Sequence, residues 1–307
     1  MKTLAGRAFA KVNLGLRILD RRPDGFHELR TVFQTISLAD RVRVGWKQAK
    51  QTKIELTCSD PELENPDNLA WRAADALLRL TGRTGRVHVQ IDKRVPAGAG
   101  LGGGSSDAGA VLRALGLLLS ATPAELQWEA AETLGSDVPF FLQGGRAVGL
   151  GRGEELYPLP EQKRQWMILA TPDVHVSTAE AYRALAASRS ALTPDRKGFI
   201  LRGFCAGFRA SSRADGNELA GALTNDFEDI VFQQFPKLER VKQELLRIGA
   251  KQALMSGSGS ALFGVFEDRA AAVRAYAKVE GRDWTAQVVR TISRGEFGRW
   301  KQAEQKS

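Results

Sequence analysis

Cysteine and histidine are scarce in this sequence, with two and three residues among 307. The two cysteines, Cys58 and Cys205, stand far apart and form no disulfide pattern, so we expect reduced thiols in a cytoplasmic protein. The histidines have no metal-ligand spacing with one another or with the cysteines, and we predict no metal-ligating residues. The first segment lacks a long apolar stretch, so we expect no secretory signal.

The sequence also lacks long apolar runs and long blocks of like charge. No apolar run reaches the ~18 residues that a membrane span requires, and no block of five or six like charges occurs. The net charge of +9 is scattered along the chain, which favours a solvated basic surface over a nucleic-acid groove. We therefore expect neither a membrane nor a nucleic acid as partner.

The composition is that of a globular protein, with 43% hydrophobic and 26% charged residues. At about 150 residues per domain, the length predicts two domains. A charged stretch at 161–164 precedes an apolar one and places the boundary nearby. We predict a first domain over residues 1–158, a second over 159–293 and a polar tail over 294–307.

Local patterns predict helices and strands in both halves, and hence an α+β fold. Residues 29–44 have the composition of extended structure. Asn68 is a candidate N-cap for a helix that Gly82 ends. Residues 87–91 alternate between apolar and polar, which predicts a half-buried strand and favours antiparallel pairing. Further helices are expected near 178–188, 236–248 and 269–279.

A glycine-rich loop follows the strand at 87–91 and precedes a helical pattern. Five of the seven residues 98–104 are glycine. Glycine lets a ligand approach the backbone, and the start of a helix directs free N–H groups and the positive end of its dipole towards an anion. We predict phosphate binding here, with a tightly packed or flexible turn as the alternative. The predicted residues are Pro96, Gly98, Gly100, Gly102, Gly103, Gly104, Ser105 and Ser106.

Two common phosphate-binding patterns do not fit this loop. No lysine follows where the P-loop requires one. Gly98, Gly100 and Gly103 match the dinucleotide pattern, but the strand before them alternates and the helix after them is followed by another helix. The loop therefore indicates phosphate binding of another kind.

Three other segments carry candidate chemistry. Lys11 and Asn13 share one face of a strand, although a lysine there is most often solvated. Asp137 precedes an apolar run, and a partly buried carboxylate beside a lysine can serve as a general base; a turn or cap carboxylate is the alternative. Residues 256–260 form a second glycine-serine loop, with a mobile linker as the alternative.

Together these segments resemble the superfamily of galactokinase, homoserine kinase, mevalonate kinase and phosphomevalonate kinase (the GHMP kinases). Its three signatures occur in the expected order, at residues 10–16, 96–106 and 256–260. The segment Asp24-Gly25-Phe26-His27 is similar to that of the branch acting on 4-diphosphocytidyl-2-C-methyl-D-erythritol. The matching segments are Ala10–Leu14, Arg22–Leu29, Asp67–Leu69, Ile91–Pro96, Gly100–Ser106, Gly135–Phe141 and Val176–Tyr182.

This resemblance implies a two-domain α+β fold, with a left-handed βαβ crossover in the N-terminal half and a ferredoxin-like C-terminal half. It implies ATP-dependent phosphorylation of the 2-hydroxyl of that cytidine-diphosphate substrate, a step of the non-mevalonate isoprenoid pathway. Mg²⁺ is expected with ATP, held largely by nucleotide oxygens and water, since no carboxylate cage is visible.

The resemblance also implies roles for individual residues. Asp137 would be the base and Lys11 its electrostatic partner. Asn68 and Lys93 would lie on the adenosine side, with the glycine-rich loop on the ATP phosphates. Phe26 replaces a tyrosine common in relatives, and its ring would face that of Tyr182 across the cytosine. The implied substrate-side residues are Asn13, Phe26, His27, Tyr182, Ser256 and Gly257.

Two alternative functions remain open from the sequence. One is another kinase of the same superfamily, acting on homoserine or a mevalonate derivative. The other is a basic nucleic-acid-binding protein, which a steep salt dependence of DNA or RNA retention without ATP turnover would identify.

Overall fold

The computed structural model describes residues 1–22, 25–120, 122–189 and 224–302. Cys205 and, within the Asp24-Gly25-Phe26-His27 segment, Asp24 lie outside the described residues. The described chain forms two sheets with helices packed against them. This arrangement confirms the predicted α+β class.

The strands are β1 (Lys2–Arg21), β2 (His27–Gln48), β3 (Lys53–Cys58), β4 (Gly85–Asp92), β5 (Arg146–Leu150), β6 (Glu155–Pro158), β7 (Trp166–Pro172), β8 (Gln252–Met255), β9 (Leu262–Phe266), β10 (Trp284–Arg290) and β11 (Lys301–Gln302). A seven-stranded sheet runs in the order β11-β1-β2-β4-β3, with β5 pairing to β2 and to β6. A four-stranded sheet runs in the order β10-β7-β9-β8.

The described helices are α1 (Leu69–Thr81), α2 (Gly103–Leu118), α3 (Ala124–Leu134), α4 (Phe140–Gln143), α5 (Thr178–Arg189), α6 (Glu228–Gln234), α7 (Pro236–Arg247), α8 (Arg269–Tyr276) and α9 (Arg294–Phe297), with a 3₁₀ turn at Pro61–Leu63. None of them has the length and apolar character that a membrane span needs.

The first helix has the ends that its sequence predicts. The side chain of Asn68 accepts the N–H of Ala70 at 2.9 Å, and Gly82 ends the helix with a φ of +63°. Its apolar face packs with α2 and α3 onto the first sheet, where alanines, leucines and the valines of β2 and β4 form one core. This core holds α2, and therefore the glycine-rich loop before it, in place.

The predicted pairing of β4 is only half right. Its burial alternates as expected, and it pairs antiparallel with β2. It also pairs parallel with β3, which precedes it through the crossover helix α1. The alternation indicates one covered face but does not determine the direction of the second neighbour. The left-handed sense of this crossover stays a prediction.

The second sheet has the ferredoxin-like arrangement that the resemblance implies. Its strands are antiparallel throughout, and the chain order is strand, helices, two strands, helix and strand. Backbone hydrogen bonds also join the first sheet to the second half of the chain. The N–H of Leu16 on β1 donates to the carbonyl of Thr224, which precedes α6, at 2.8 Å. The N–H of Ile292 also donates to the carbonyl of Thr35 at 2.9 Å. The limits of the two domains stay a prediction.

The C-terminal segment is not the polar tail that its composition predicts. Its helix α9 begins with a capping box between Ser293 and Glu296, and β11 pairs with the edge of β1. Phe297 is buried, and the ring of Trp300 lies over Gly6. Two aromatic side chains are enough to anchor a segment that is otherwise charged, and the added strand covers a sheet edge.

Candidate active site

Lys11 and Asp137 meet, as predicted. Lys11 lies on β1, Asp137 lies on the turn before α4, and the distance from Nζ to Oδ2 is 3.4 Å. The lysine side chain is 5% exposed and the carboxylate 33%, so the expectation of a solvated lysine is wrong. The pairing of β1 with β2 is irregular on both sides of residues 11–13. Such irregularities redirect side chains and are frequent beside active sites.

The pair lies on the floor of a cavity of about 700 Å³ between the two halves. The ammonium of Lys11 donates to Oδ1 of Asn13 at 2.7 Å and lies 5.5 Å from the centre of the Phe33 ring. The cavity is open to solvent and lined by a mixture of cationic, aromatic and small residues. These include Lys11, Asn13, Arg21, Phe26, His27, Gly102, Asp137, Arg152, Tyr182, Arg183 and Gly257.

The glycine-rich loop runs into the start of α2 earlier than expected. The helix begins at Gly103, so the last residues of the predicted loop form its first turn. The N–H of Ser106 already donates to the carbonyl of Gly102 at 2.8 Å. The N–H groups of Gly103, Gly104 and Ser105 precede the first helical hydrogen bond and have no acceptor within the helix. A helix start of this kind can bind an anion, and phosphate binding here stays a prediction.

The two glycine loops are packed against each other. The hydroxyl of Ser256 donates to the carbonyl of Gly100 at 2.9 Å and accepts the N–H of Asn13 at 3.3 Å. A Cβ on Gly100 would lie 2.1 Å from the carbonyl oxygen of Ser256. Ser256 is completely buried and joins β1 to both loops, whereas Gly257 lines the cavity. The predicted contact of these two residues with substrate stays a prediction.

Two predicted nucleotide-side residues have their polar groups engaged within the protein. The hydroxyl of Ser106 is buried and donates to the carbonyl of Phe9 at 2.7 Å. The amide of Asn68 caps α1 and donates to the carbonyl of Leu63 at 2.9 Å. Asn68 lies close to the glycine-rich loop, because its neighbour Leu69 lies beside Gly104. Its place on the adenosine side stays a prediction. Pro96 is half-buried and Gly98 is exposed, at the outer end of the loop.

Lys93 is held between two buried carboxylates. Its ammonium lies 2.5 Å from Oδ2 of Asp40 and 2.8 Å from Oδ2 of Asp107. Burial lowers the pKa of Lys93, but the charges of Asp107 and Asp40 outweigh it and raise that pKa overall. Burial raises the pKa of Asp107 to about 7, against the opposing charge of Lys93. The ammonium lies next to Gly103 but already has two acidic partners, which the sequence did not indicate.

The aromatic residues of the acceptor side contact other side chains of the protein. The ring of Tyr182 stacks on His27, with centroids 5.3 Å apart, and meets Phe227 edge-on at 4.9 Å. Phe26 is 54% exposed and lies under the guanidinium of Arg152, at 4.9 Å. Burial, and secondarily the charge of Asp137, raises the pKa of Tyr182 to about 12, so its hydroxyl remains a donor at neutral pH. Phe26 and Tyr182 both line the cavity, and their arrangement around the cytosine stays a prediction.

Several site residues were missed from the sequence. Arg152 lies in the glycine-rich hairpin that joins β5 to β6 and lines the cavity. The glycines of this segment predict a turn but indicate no role for the arginine between them. Asn225 donates to the carbonyls of Met255 and Gly257 and so fixes the second glycine loop. Thr31, which also lines the cavity, accepts a hydrogen bond from the Asn13 amide at 2.7 Å. Within the described part of the chain, no three acidic, histidine or cysteine side chains are grouped as a metal cage.

The comparisons with known proteins agree with this geometry. The models of the GHMP kinases N terminal domain and the GHMP kinases C terminal region match residues 68–145 and 207–284. A homoserine kinase from Cytophaga hutchinsonii shares the fold with a TM-score of 0.74, at 18% identity over 95% of each chain. The chain is thus a kinase of the GHMP class, whose members take ATP as co-substrate.

More similar relatives narrow the class. The 4-diphosphocytidyl-2-C-methyl-D-erythritol kinase of Solibacter usitatus is 47% identical over 97% of this chain and 92% of its own length. That of Geobacter sulfurreducens is 40% identical over 95% of this chain and 100% of its own. A crystal structure of a 4-(cytidine 5'-diphospho)-2C-methyl-D-erythritol kinase has a TM-score of 0.77, at 37% identity over 94% of this chain and 98% of that one. The chain belongs to the 4-diphosphocytidyl-2-C-methyl-D-erythritol kinase family.

Proposed function

We propose that the chain transfers the γ-phosphate of ATP to the 2-hydroxyl of 4-diphosphocytidyl-2-C-methyl-D-erythritol, as the kinase step of the non-mevalonate isoprenoid pathway. The observation that carries the chemistry is the Lys11–Asp137 pair, 3.4 Å apart on the floor of a cavity that the glycine-rich loop borders. Family membership supports the choice of substrate.

The start of α2 is the ATP side of this site. Three N–H groups, from Gly103, Gly104 and Ser105, point out of the helix, and the helix dipole adds positive potential at the same place. Gly104 is exposed, and the nearest atom to a Cβ built there lies 3.7 Å away. The space beside these three N–H groups is therefore open for a phosphate. The adenosine would extend towards the adjoining end of α1.

Mg²⁺ would be held in this site together with the ATP phosphates. Hard cations of this size prefer octahedral oxygen coordination and keep several waters when they bind a nucleotide. We propose that phosphate oxygens and water supply most of its ligands, and that the ion would neutralise charge on the phosphates.

Asp137 and Lys11 act on the acceptor hydroxyl. As the hydroxyl oxygen forms its bond to the γ-phosphorus and the bond to ADP breaks, the carboxylate of Asp137 receives the hydroxyl proton. The ammonium of Lys11 stabilises negative charge on the oxygen and on the transferred group from a buried position, where such an interaction is strong. Positioning and charge compensation are most of what phosphoryl transfer requires.

The acceptor's cytidine would occupy the outer part of the cavity. The stacked rings of His27 and Tyr182 offer an aromatic face there, and the Phe26 ring with the guanidinium of Arg152 lines the same cavity. An aromatic face binds any base, so the polar edge of His27 is the candidate reader of cytosine. The cations Arg21, Arg152 and Arg183 border the same space and favour an anionic diphosphate.

The decisive test is turnover of the purified chain with ATP and a panel of acceptors. We expect ADP release with the cytidine-diphosphate substrate and none with homoserine or mevalonate. The variant Asp137→Asn should lower kcat by about 10²-fold or more with little change in the KM for ATP, as for loss of a general base. Asp283→Asn, at an exposed carboxylate directly before β10 that does not line the cavity, is the matched control. Near-normal kcat in Asp137→Asn would remove this residue from the chemistry.

A further inference from the structure

A chain of buried hydrogen bonds runs beneath Lys11. The ammonium donates to Oδ1 of Asn13 at 2.7 Å, and Nδ2 of Asn13 donates to Oγ1 of Thr31 at 2.7 Å. The Thr31 hydroxyl in turn donates to the carbonyl of Gly15 at 2.8 Å. Thr31 is completely buried on β2, so water does not compete for any of these contacts.

The position of each proton fixes which atom donates and which accepts along this chain of hydrogen bonds. The single hydrogen of the Thr31 hydroxyl is directed to the carbonyl of Gly15, so its oxygen is left only as an acceptor towards Asn13. The Asn13 atom facing it must therefore be the amide nitrogen, and the amide oxygen then faces Lys11. The opposite amide orientation would place two hydrogen-bond donors, NH₂ and ammonium, against each other.

We propose that Thr31 is a positioning residue for the phosphoryl transfer. By fixing the orientation of the Asn13 amide, its hydroxyl holds the ammonium of Lys11 at 3.4 Å from the carboxylate of Asp137. An ammonium has three donors. One is directed to Asn13 and one to Asp137, which leaves the third for the oxygen that reacts. This inference rests on the proposed function, because it assigns Thr31 to the step in which Lys11 and Asp137 act.

Removing only the hydroxyl tests the proposal. Thr31→Val keeps the shape of the side chain but leaves Nδ2 of Asn13 without its acceptor, so only the contact with Lys11 still holds the amide. We expect kcat to fall by up to about ten-fold, the upper end for one lost hydrogen bond between neutral groups, while the KM for ATP changes less than about two-fold. Thr31→Ser keeps the hydroxyl and should restore kcat to within about two-fold of wild type.

Thr35→Val is the matched control on the same strand. Thr35 is also completely buried, and its hydroxyl accepts the N–H of Gly145 at 3.0 Å, outside the chain to Lys11. We expect it to lower the melting temperature as Thr31→Val does, with kcat unchanged. Equal kcat in Thr31→Val and Thr35→Val would overturn the proposal, as would equal damage to kcat and to both KM values.

A variant that does not fold and a wild-type chain without activity give different results. If Thr31→Val does not fold, Thr31→Ala against Thr31→Ser gives the same comparison, with low kcat in the alanine variant supporting the proposal and equal kcat contradicting it. If the wild-type chain shows no turnover with the cytidine-diphosphate substrate, the proposed function itself fails. An active wild type with an unaffected Thr31→Val refutes the positioning role alone.

Discussion

Gly100 is the residue at which the two glycine loops approach most closely, and Gly100→Ala tests that approach. The residue has a φ of +76°, and an added Cβ would lie 2.1 Å from the carbonyl oxygen of Ser256 and 3.2 Å from that of Gly259. Carbon–oxygen contacts in proteins are about 3.3 Å or longer. The loops must therefore separate by about 1 Å to accommodate one methyl group.

The expected cost has two parts. Left-handed backbone costs a non-glycine residue about 1–2 kcal/mol. Separation also weakens the hydrogen bonds from Ser256 to Gly100 and from the N–H of Ala261 to the carbonyl of Ala99, at about 1 kcal/mol each. The total is about 3–4 kcal/mol of unfolding free energy. Because a 1 Å displacement in a positioning loop can cost about 10²-fold in rate, kcat/KM for ATP should fall by that order.

Gly82→Ala is the matched control. Gly82 has a similar φ of +63°, ends α1 and has no atom within 4 Å of an added Cβ. It should lose only the backbone part, about 1–2 kcal/mol, with unchanged kinetics. Urea unfolding gives the two free energies and ADP release gives the rates. If both variants lose equal stability and keep wild-type kcat/KM, the close approach of the loops does not hold the phosphate site.

Two predictions concern stability. Burial raises the pKa of Asp107 from 3.8 to about 7, so the folded chain holds a proton that the unfolded chain releases, and this group's contribution to stability falls as pH rises through that interval. Asp107→Asn removes the titration, so its unfolding free energy relative to wild type should increase from about pH 5 to about pH 8; a difference independent of pH would contradict this. Phe297 is 3% exposed and packs on Phe9 and Arg113, so Phe297→Ala should cost about 3–5 kcal/mol by urea unfolding, whereas a polar tail would lose nothing.

The sequence alone predicted the features that neighbouring residues determine. The cap at Asn68 and the left-handed end at Gly82 are satisfied within one turn of the helix they bound. The glycine loop before α2 follows from backbone freedom and the dipole of the adjoining helix. The spacing of Lys11 and Asn13 places both on one face of any strand. These inferences hold because each depends on local geometry.

Only the tertiary structure decided how each polar group is used. A hydroxyl beside a phosphate loop can face the ligand or the protein, and packing turned those of Ser106 and Ser256 inward. Lys93 is bound by Asp40 and Asp107, which come from different elements. Such choices depend on distant segments, and no local pattern encodes them.

The same reason explains the acceptor side and the C-terminal segment. Sequence similarity indicated Phe26 and Tyr182, but Tyr182 stacks on His27 because α5 and the start of β2 meet there. Residues 294–302 look polar in composition, yet Phe297 is buried against the first sheet. Composition averages over a segment, whereas burial is decided by the one side chain that finds a complementary surface. The long-range meeting of Lys11 with Asp137, which makes two ordinary residues a reactive pair, belongs to the fold.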